Sequence, residues 1–244
     1  MHTNPHPYHD DHDHDDVGSV LTRRQALGLF TTPFLLAFAG CDGTAVAEDA
    51  PISGSCVVRP ELTEGPYYLD TELLRSDIRE DRAGVPLALT FTVSRVVANA
   101  CETLPGALVD VWHADASGDY SGVGSERGST YLRGIQQTGT DGSATFQTIY
   151  PGWYSGRAPH IHFKVRSSAS STSAYEFTSQ LFFDDDLSRD VYTSVAPYNA
   201  RGAQNTTNAR DGIYSQGGSE MLLALTELSD GGYRASFDIA LYVD

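Results

Sequence analysis

Residues 87–98 read "LALTFTVSRVVA", and apolar and polar side chains alternate along most of this stretch. Successive side chains of a β-strand point to opposite faces of the sheet, so this alternation predicts a strand with one buried face. Five further runs of the same kind are bounded by Gly, Pro, Asp, Asn or Ser: "ALVDVWHA", "SATFQTIY", "HIHFKV", "TSQLFF" and "RASFDIALYV". Repeated short strands separated by turn residues predict an all-β protein, a β-sandwich with short helical pieces and long loops.

Two kinds of local feature interrupt the strand pattern. Helical periodicity is confined to "DTELLRSDI" near residues 70–78 and to "SEMLLAL" at residues 219–225. The segment "GTDGSA", residues 139–144, has Asp-Gly at its centre. That dipeptide is typical of tight turns between paired strands, so a hairpin-type turn is expected there.

Residues 1–41 are predicted to be an export signal. Arg23 and Arg24 stand just ahead of the apolar run "FTTPFLLAFAG", as in twin-arginine signals, whose route exports folded proteins. The run ends in "FAGC", which resembles a lipoprotein box with Cys41 as the lipidated residue. Phe stands where Leu is usual, so both anchoring and secretion stay open. The protein is therefore expected on the extracellular face of the cytoplasmic membrane or in secreted form.

The rest of the chain is expected to contain a linker and one domain. Residues 42–58 are small and polar, whereas residues 59–244 carry the strand patterns. A segment of that length suits one domain with a sizeable core. The 244-residue chain has 16 Lys and Arg against 32 Asp and Glu, a formal net charge of −16. Such an acidic chain repels phosphate backbones, which argues against nucleic-acid binding.

Cys56 and Cys101 are the only cysteines that follow Cys41. In an oxidising compartment outside the cytoplasm, an even pair predicts a disulfide. Closing the loop between them would stabilise the fold by about 4 kcal/mol in the chain-entropy treatment. Two buried free thiols are the alternative.

The segment "TIYPGWYSGRAPHIHFKV", residues 148–165, holds the strongest sign of chemistry. One residue separates His160 from His162, so a strand places both imidazoles on one face and turns Ile161 and Phe163 towards the core. Two imidazoles so placed can bind a metal ion. Taken alone, the pair also fits two strand histidines that only make hydrogen bonds.

The neighbouring residues favour iron. The chain after His162 reads "FKVRSSAS" and lacks the Glu of a cupin, and no Cys or carboxylate of a zinc site is close. The extra donors are tyrosines, Tyr154 in "GWYSGR" and Tyr120 in "DVWHADASGDYSG". Because a phenol has a pKa of about 10, it binds well only to a strongly Lewis-acidic ion such as Fe(III). Two phenolates and a hydroxide would neutralise that ion, and two neutral imidazoles would complete five-coordination.

Several spaced motifs between about Arg59 and Phe183 resemble those of the intradiol ring-cleavage dioxygenases. These are non-haem Fe(III) enzymes typified by protocatechuate 3,4-dioxygenase and catechol 1,2-dioxygenase. The matching segments are "RPELTEGPYYLD", "LPGALVDVWHADASGDYSG", "DGSATFQTIYPGWY", "GRAPHIHFKV" and "TSQLFF". The resemblance implies a β-sandwich, which agrees with the strand pattern.

Matched position by position, the resemblance implies one Fe(III) per chain, with Tyr154 and His162 as axial ligands and Tyr120 and His160 as the others. It makes Arg157 the arginine that stabilises charge on the attacked ring. The residues implied near the metal and along the substrate pocket are Gln180, Thr63, Gly65, Pro66 and Tyr67. The segment between Tyr154 and His160 is shorter than in the protocatechuate enzymes, so their substrate preference does not carry over.

The resemblance also implies a reaction with a small catecholic substrate and O2. Tyr154 and a bound hydroxide would accept the two catechol protons, and Arg157 would stabilise the carbanion that forms on the ring. Cleavage between the two hydroxyl-bearing carbons would give a cis,cis-muconate-type diacid. Which catechol is the substrate, whether the chain forms a homo-oligomer, and whether lipidated Cys41 anchors it to the membrane all stay open.

A non-catalytic interpretation competes with the enzyme. The segment "LPGALVDVW" and the later "TGTDGSATFQTIYPGWY" also resemble transthyretin-like β-sandwich modules, which would make the chain an inactive cell-surface binding module. Such modules do not require the two histidines, the two tyrosines or Arg157. Further alternatives are a family member that binds metal without turnover, Tyr120 as a rim aromatic, and Arg157 as the partner of a carboxylate. His113 is expected to be structural or to support the metal ligands.

Overall fold

The computed structural model describes residues 56–98 and 100–243. The predicted export signal, Cys41 and most of the predicted linker lie outside these residues. The described strands are β1 (Pro86–Val97), β2 (Ala100–Thr103), β3 (Leu108–Trp112), β4 (Arg133–Gln137), β5 (Ser143–Ile149), β6 (His160–Arg166), β7 (Glu176–Phe182), β8 (Thr226–Glu227) and β9 (Tyr233–Leu241). The α-helix is α1 (Asp185–Ser194), and the short 3-10 helices are Gly124–Glu126, Tyr198–Ala200, Asn208–Arg210, Tyr214–Gln216 and Gly218–Met221.

Two sheets pack face to face. The first has the order β2-β1-β9-β8, and β5 also pairs with β1. Its β1–β9 pair is parallel, whereas β1 is antiparallel to β2 and β5. The second sheet has the order β4-β3-β6-β7 and is antiparallel throughout. The expected all-β sandwich is therefore confirmed.

The core lies between the sheets and is rich in aromatic rings. Phe91 of β1 packs against Phe163 of β6 with ring centroids 5.1 Å apart, and Phe237 of β9 lies 5.6 Å from Phe163. The alternation noted in residues 87–98 matches this arrangement, because every second side chain from Leu87 to Val93 is fully buried. Full burial of each such side chain contributes about 1.5–3 kcal/mol.

Strand β6 is buried on both of its faces. Ile161, Phe163 and Val165 belong to the core, as their spacing predicts. The side chains between them, which point to the outer face of the second sheet, are buried as well because loops cover them. A polar row beneath loops is the feature of this sandwich that creates a candidate site.

Neither segment predicted to be helical is an α-helix. In residues 70–78, Leu74 bridges to Ile135 and Asp77 bridges to Gln147. Their neighbours confirm the pairing, since the amide of Ile78 donates to the carbonyl of Gln147 over 3.0 Å. The backbone groups find partners on strand edges, and this tertiary pairing overrides the local helical preference.

The second of these segments behaves in the same way. Gly218–Met221 forms only a 3-10 helix, after which Leu222 bridges to Phe182. The amide of Leu223 donates to the carbonyl of Phe182 over 2.9 Å. The helical piece predicted at 219–225 is therefore limited to a 3-10 helix that ends at Met221, after which the chain pairs with the end of β7.

Helix α1 lies outside both segments in which the sequence showed helical periodicity. Its N-cap is Asp184, whose carboxylate accepts hydrogen bonds from the amides of Asp186 and Leu187 at 3.0 and 2.9 Å. Such a cap satisfies two amides that have no partner inside the helix. Only a narrow stripe, which includes Val191 and Tyr192, is buried.

The predicted turn at residues 139–144 exists, but it does not join a hairpin. The amide of Gly142 donates to the carbonyl of Gly139 over 2.9 Å, and Gly142 has a φ of +75°. However, β4 pairs with β3 in the second sheet, whereas β5 pairs with β1 in the first. The turn therefore connects the two layers. The Asp-Gly signal is local and cannot report which partners the flanking strands choose.

The chain already contacts the domain at the end of the predicted linker. A disulfide joins Cys56 to Cys101, whose Cα atoms lie 5.4 Å apart. The carbonyl of Val57 accepts a hydrogen bond from the amide of Ala240 over 2.8 Å. In residues 56–98 and 100–243, no helix combines the length and the apolarity that crossing a bilayer requires.

Candidate active site

The two histidines of β6 lie on the outer face of the second sheet, in the middle of a cross-strand row. His162 is paired in register with Trp112 of β3 on one side and with Gln180 of β7 on the other. The indole ring of Trp112 stacks on the His162 ring, with centroids 5.1 Å apart and an angle of 8° between the planes. This packing restricts the imidazole of His162 to one orientation.

Two loops bring the tyrosines to these histidines. Tyr120 lies in the loop between β3 and β4, and Tyr154 lies between β5 and β6. Both hydroxyls approach Nε2 of His160, at 3.4 Å for Tyr120 and 3.2 Å for Tyr154. The Nε2 atoms of His160 and His162 are 3.1 Å apart. Two nitrogens and two phenol oxygens thus converge on one point; we call these four side chains the donor cluster.

Glycines let the two loops approach each other closely. A Cβ on Gly152 would overlap the carbonyl oxygen of Asp115, and a Cβ on Gly118 would overlap the carbonyl oxygen of Trp153. The carboxylate of Asp115 then orders the first loop by accepting from the amides of Ser117 and Asp119 at 2.9 and 3.1 Å. The loops can therefore bring both tyrosines to one point.

The donor cluster is electrically neutral in the absence of a cation. Burial lowers the pKa of His160 to about 3 and holds that of His162 well below its usual value. Burial also raises the pKa of Tyr120 well above its ordinary value and raises that of Tyr154. Both imidazoles are thus free bases at neutral pH, while both phenols keep their protons until a strongly Lewis-acidic ion displaces them.

Hydrogen bonding prepares His160 as a ligand. Its Nδ1 lies 2.6 Å from the carbonyl oxygen of Ala158, so Nδ1 carries the proton and Nε2 presents a lone pair to the cluster. His162 differs, because its buried Nδ1 has no hydrogen-bond partner among the described residues. Stacking on Trp112 therefore replaces the hydrogen bond that usually orients such a ligand.

The spacing of the donor cluster fits one metal ion. Two ligands that each lie about 2.1 Å from an ion, at angles of about 90–110°, are about 3.0–3.4 Å apart. The observed separations between donor atoms are 3.1, 3.2 and 3.4 Å. Within the described part of the chain, no group of three or more His, Cys, Asp or Glu side chains could hold a metal. Two imidazoles and two phenols thus remain as the donor set, which suits a ferric ion.

Arg157 lies beside the donor cluster in a buried polar chain. Its Nε donates to Oδ2 of Asp211 over 2.9 Å, and its Nη2 donates to Oε1 of Gln180 over 2.5 Å. Nε2 of Gln180 in turn donates to the carbonyl of Thr63 over 2.6 Å. The structure therefore brings together three residues that the sequence placed at the site, and it adds Asp211.

Asp211 is the residue that sequence reasoning missed. It lies in "NARDGIY", where Asp-Gly reads as an ordinary turn, yet the residue is 1% exposed. Its carboxylate accepts from the amides of Ala158, Ile213 and Tyr214 as well as from Arg157. Burial favours the neutral acid, but these hydrogen bonds and the charge of Arg157 outweigh it and lower the pKa of Asp211. The alternative that Arg157 pairs with a carboxylate is thus observed, alongside its contact with Gln180.

The segment predicted to line the substrate pocket crosses the donor cluster. Gly65 has a φ of +72°, and a Cβ there would lie 3.1 Å from the His162 ring. The ring of Tyr67 stacks on that of Tyr120, with centroids 4.5 Å apart. Thr63 accepts from the amide of Gly65 over 3.2 Å, whereas Pro66 is exposed.

Lys164 ties this segment to β6. Its ammonium group lies 2.6 Å from Glu64 and 2.9 Å from Glu176, and it sits 4.2 Å from the centre of the Tyr68 ring. Burial alone would lower the pKa of Lys164, but the hydrogen bonds to both carboxylates outweigh it and raise that pKa. The only lysine of the chain therefore stays charged and holds the neighbour of Thr63 and Gly65 in place.

His113 is buried, and its hydrogen bonds go to residues outside the donor cluster. Its Nδ1 lies 2.8 Å from the carbonyl of Ala114, and its Nε2 lies 2.6 Å from Oγ1 of Thr148. Both ring nitrogens are thus engaged within the fold, which suits the structural role expected for this residue.

A cavity of about 310 Å³ adjoins the donor cluster. Tyr67, Tyr120 and Tyr154 line it together with Gly118, Asp119, Val123, Gly124, Ser125 and Glu126. A ligand in this cavity would meet both tyrosines of the cluster. Fold and site together define a β-sandwich protein with a histidine–tyrosine centre suited to a metal ion and an adjoining pocket for a small molecule.

Comparison with known proteins identifies the family. Residues 63–199 match the family described as Dioxygenase. The structure of an intradiol ring-cleavage dioxygenase from Tetranychus urticae is 32% identical, with a TM-score of 0.65, and covers 77% of this chain and 95% of that one. The dioxygenase domain of a carbohydrate-binding fusion from Streptomyces sp. SirexAA-E is 30% identical, with a TM-score of 0.56. The match covers 77% of this chain and 100% of that domain. This chain therefore belongs to the intradiol ring-cleavage dioxygenase family.

Relatives named for their substrate match over a shorter stretch. A chlorocatechol 1,2-dioxygenase from Cupriavidus pinatubonensis is 30% identical over 155 residues, which is 54% of this chain and 60% of that relative. This chain thus spans less than two thirds of the length of that protein. The donor cluster and Arg157 lie inside the segment matched by the family model, whereas Asp211 lies outside it.

Proposed function

We propose that this protein is an Fe(III) dioxygenase that cleaves a catechol between its two hydroxyl-bearing carbons, using O2 and giving a cis,cis-muconate-type diacid. The observation that carries the proposal is the convergence of two imidazole nitrogens and two phenol oxygens, with separations of 3.1–3.4 Å, at the wall of a cavity. Family membership supports it, because the matched segment contains all four donors.

The donor cluster would hold the ferric ion. When bound, that ion supplies Lewis acidity, which draws a catechol in as its dianion and makes the ring reactive towards O2. His160 and His162 contribute as neutral bases, since burial lowers the pKa of both. Tyr120 is 6% exposed and packs between Tyr67 and the histidines, so it suits a permanent ligand.

Tyr154 is suited to move a proton. It is only partly buried, its hydroxyl belongs to the donor cluster, and its ring lines the cavity. As a phenolate in the resting protein, its Oη would accept a proton from one catechol hydroxyl as the substrate enters. The protonated phenol would hold the ion more weakly than the phenolate does, so Tyr154 would combine the roles of ligand and proton acceptor. Burial raises the pKa of Tyr154 in the absence of a metal ion, which favours the protonated phenol once Tyr154 no longer binds the ion.

Arg157 would stabilise the negative charge that develops on the ring. Its guanidinium is held by Asp211 through Nε and by Gln180 through Nη2 before any substrate arrives. A charge that is already oriented needs no reorganisation during the reaction, which is the source of its catalytic value. Gln180 thereby serves to position Arg157.

The first test is spectroscopic. The purified protein, loaded with ferric iron, should show a visible tyrosinate-to-iron band that shifts when catechol is added without oxygen. Admitting O2 should then consume oxygen and catechol in equal amounts and form the ultraviolet-absorbing muconate. A protein that takes up no ferric iron would contradict the proposal.

Matched variants make this test specific. Tyr154→Phe should lose or shift the visible band, because it removes one donor oxygen, whereas Tyr68→Phe should keep it. Tyr68 is a sound control because its ring packs 4.8 Å from Trp112 and is outside the donor cluster. Iron binding with an intact band but no muconate would instead support a family member that only binds metal. The inactive transthyretin-like module is not favoured by the family match.

A further inference from the structure

The cavity beside the donor cluster is acidic, and this bears on the class of catechol it takes. The inference rests on the proposed function. Besides three tyrosines, the lining contains two carboxylates, those of Asp119 and Glu126. Among the residues that the structure describes, no Lys, Arg or His lines the cavity. Any charge on a ring substituent that reaches this part of the cavity therefore meets two negative groups.

Both carboxylates lack a cationic partner among the described residues. Neither takes part in an ion pair within 4.0 Å there. Asp119 accepts no side-chain hydrogen bond in this set, and Glu126 accepts one from the neutral hydroxyl of Ser129 over 3.0 Å. Within the described residues, no cationic side chain neutralises either carboxylate directly.

The arginines in or beside the loops that form the cavity do not line it. Arg127 directly follows Glu126, but it is exposed and makes no ion pair within 4.0 Å among the described residues. The other three are engaged elsewhere. Arg133 is 3% exposed and donates to the carbonyl of Ser121, and Arg157 is paired with Asp211. Arg201 donates to the carbonyl of Trp153 and lies over the Trp153 ring, 4.2 Å from its centre. None of these three lines the cavity, so none supplies the cation that binding a substituent carboxylate would need.

We propose that the cavity selects catechols whose ring substituent is neutral or cationic and discriminates against those that carry a carboxylate. Asp119 and Glu126 are the specificity-determining residues. At the effective dielectric constants of partly exposed sites, one carboxylate several ångströms away changes affinity by about 3-fold to 10-fold per unit charge. Discrimination should be strongest at low ionic strength, because salt screens such interactions.

Three catechols of similar size and different charge test the proposal: 4-propylcatechol, 4-(2-aminoethyl)catechol and 3,4-dihydroxyphenylacetate. At least one methylene group separates the end of each substituent from the ring, so ring reactivity is similar and charge is the main variable. At low salt, kcat/KM should be lowest for the carboxylate, by about 10-fold relative to the propyl compound. The ammonium compound should equal or exceed the propyl compound. Added salt should bring the kcat/KM values of the three substrates closer together.

Substitution of Asp119 and Glu126 tests whether these two residues cause the discrimination against the carboxylate substrate. Asp119→Asn and Glu126→Gln preserve shape and should each raise the kcat/KM ratio of carboxylate to propyl substrate by about 3-fold, the double variant more. Glu227→Gln is the matched control, because Glu227 is exposed on β8 of the other sheet and removing it changes the net charge equally. It should leave the ratio unchanged.

A binding measurement separates this proposal from the proposed function. Calorimetry with 4-propylphenol, tyramine and 4-hydroxyphenylacetate ranks the same three substituents without turnover, and the carboxylate should bind most weakly. Cleavage of all three catechols with equal kcat/KM, or ratios that the two variants leave unchanged, would overturn the acidic selection while leaving the dioxygenase in place. Absence of cleavage together with the expected binding order would overturn the dioxygenase and retain the selection.

Discussion

Asp211 is the residue on which the orientation of Arg157 depends. Its buried carboxylate holds Nε of Arg157 and three backbone amides at once. Asp211→Asn replaces one acceptor oxygen with a donor and leaves the guanidinium without its counter-charge. Because a small misplacement of a catalytic group is costly, we expect kcat to fall by about 10-fold to 100-fold while iron content is retained. Steady-state kinetics and metal analysis check this.

A double-mutant cycle distinguishes positioning from general damage. If Asp211 acts through Arg157, the double variant with Arg157→Gln should be no slower than Arg157→Gln alone. Additive losses would mean that Asp211 supports the site by another route. Thermal unfolding of each variant shows whether the loop around Asp211 still folds.

His113 should make stability depend on pH. Burial lowers its pKa to about 4 in the folded protein, against about 6.5 in an unfolded chain. As pH falls from about 6.5 towards about 4, the unfolded state binds the proton first, so stability is lost across that window and is regained as pH rises. The contribution reaches up to about 3 kcal/mol at the acid end.

Denaturant titrations of the iron-free protein between about pH 7 and about pH 4 test this expectation. His113→Gln cannot titrate, and its free energy of unfolding should fall less steeply with acid than that of the original protein. Groups that do not interact with His113 titrate in both proteins and cancel in the comparison. Parallel curves would show that protonation of His113 does not oppose folding.

At the scale of elements, the disulfide connects the start of the described chain to β2. Cys101 lies on β2, and Cys56 precedes Val57, which bonds to β9. Removing the bond in Cys56→Ser with Cys101→Ser should lower the free energy of unfolding by about 4 kcal/mol, because the unfolded chain is no longer closed into a loop across a separation of 45 residues and gains entropy. Denaturant unfolding measures the loss.

The iron site should be unaffected by that loss, because neither cysteine belongs to the donor cluster or to the network around Arg157. The visible spectrum at low denaturant is therefore the control. If the double variant unfolds at the same denaturant concentration as the unsubstituted protein, the disulfide does not restrain the unfolded chain.

Elements also show where local patterns succeed and fail. Polar and apolar residue types alternate along β6, and this alternation predicted which of its residues belong to the core. Residues 70–78 carry an equally local helical pattern, yet they pair with β4 and β5 at Leu74 and Asp77. A local helical preference determines the backbone conformation only where no tertiary partner offers the backbone more favourable hydrogen bonds.

At the scale of the whole molecule, the N-terminal 41 residues are proposed to export the folded chain. In a host with a twin-arginine route, Arg23→Lys with Arg24→Lys should retain the precursor in the cytoplasm, although the charge is unchanged. Cell fractionation and mass spectrometry of the N-terminus report the outcome. Export of the doubly substituted protein would contradict the proposal.

Anchoring is a separate question about the same region. If Cys41 is lipidated, Cys41→Ser should move the protein from the membrane fraction to the soluble fraction without changing its spectrum. A protein found in the soluble fraction before and after substitution would be secreted without an anchor.

Much of this protein could be predicted from its sequence alone. Alternating side chains determined the all-β class, because the period of a strand is a property of consecutive residues. The same rule put His160 and His162 on one face, and the spaced motifs around them indicated the family and named Tyr120, Tyr154 and Arg157.

The tertiary structure decided what depends on distant parts of the chain. Strand pairing placed Trp112 beside His162, and it made the Asp-Gly turn a connection between the two sheets. The carboxylate that holds Arg157 comes from Asp211, 54 residues further along, in a loop without a distinctive pattern. The acidic wall of the cavity likewise depends on how one loop folds over the donor cluster. Such contacts are set by register and packing, and no local sequence pattern encodes them.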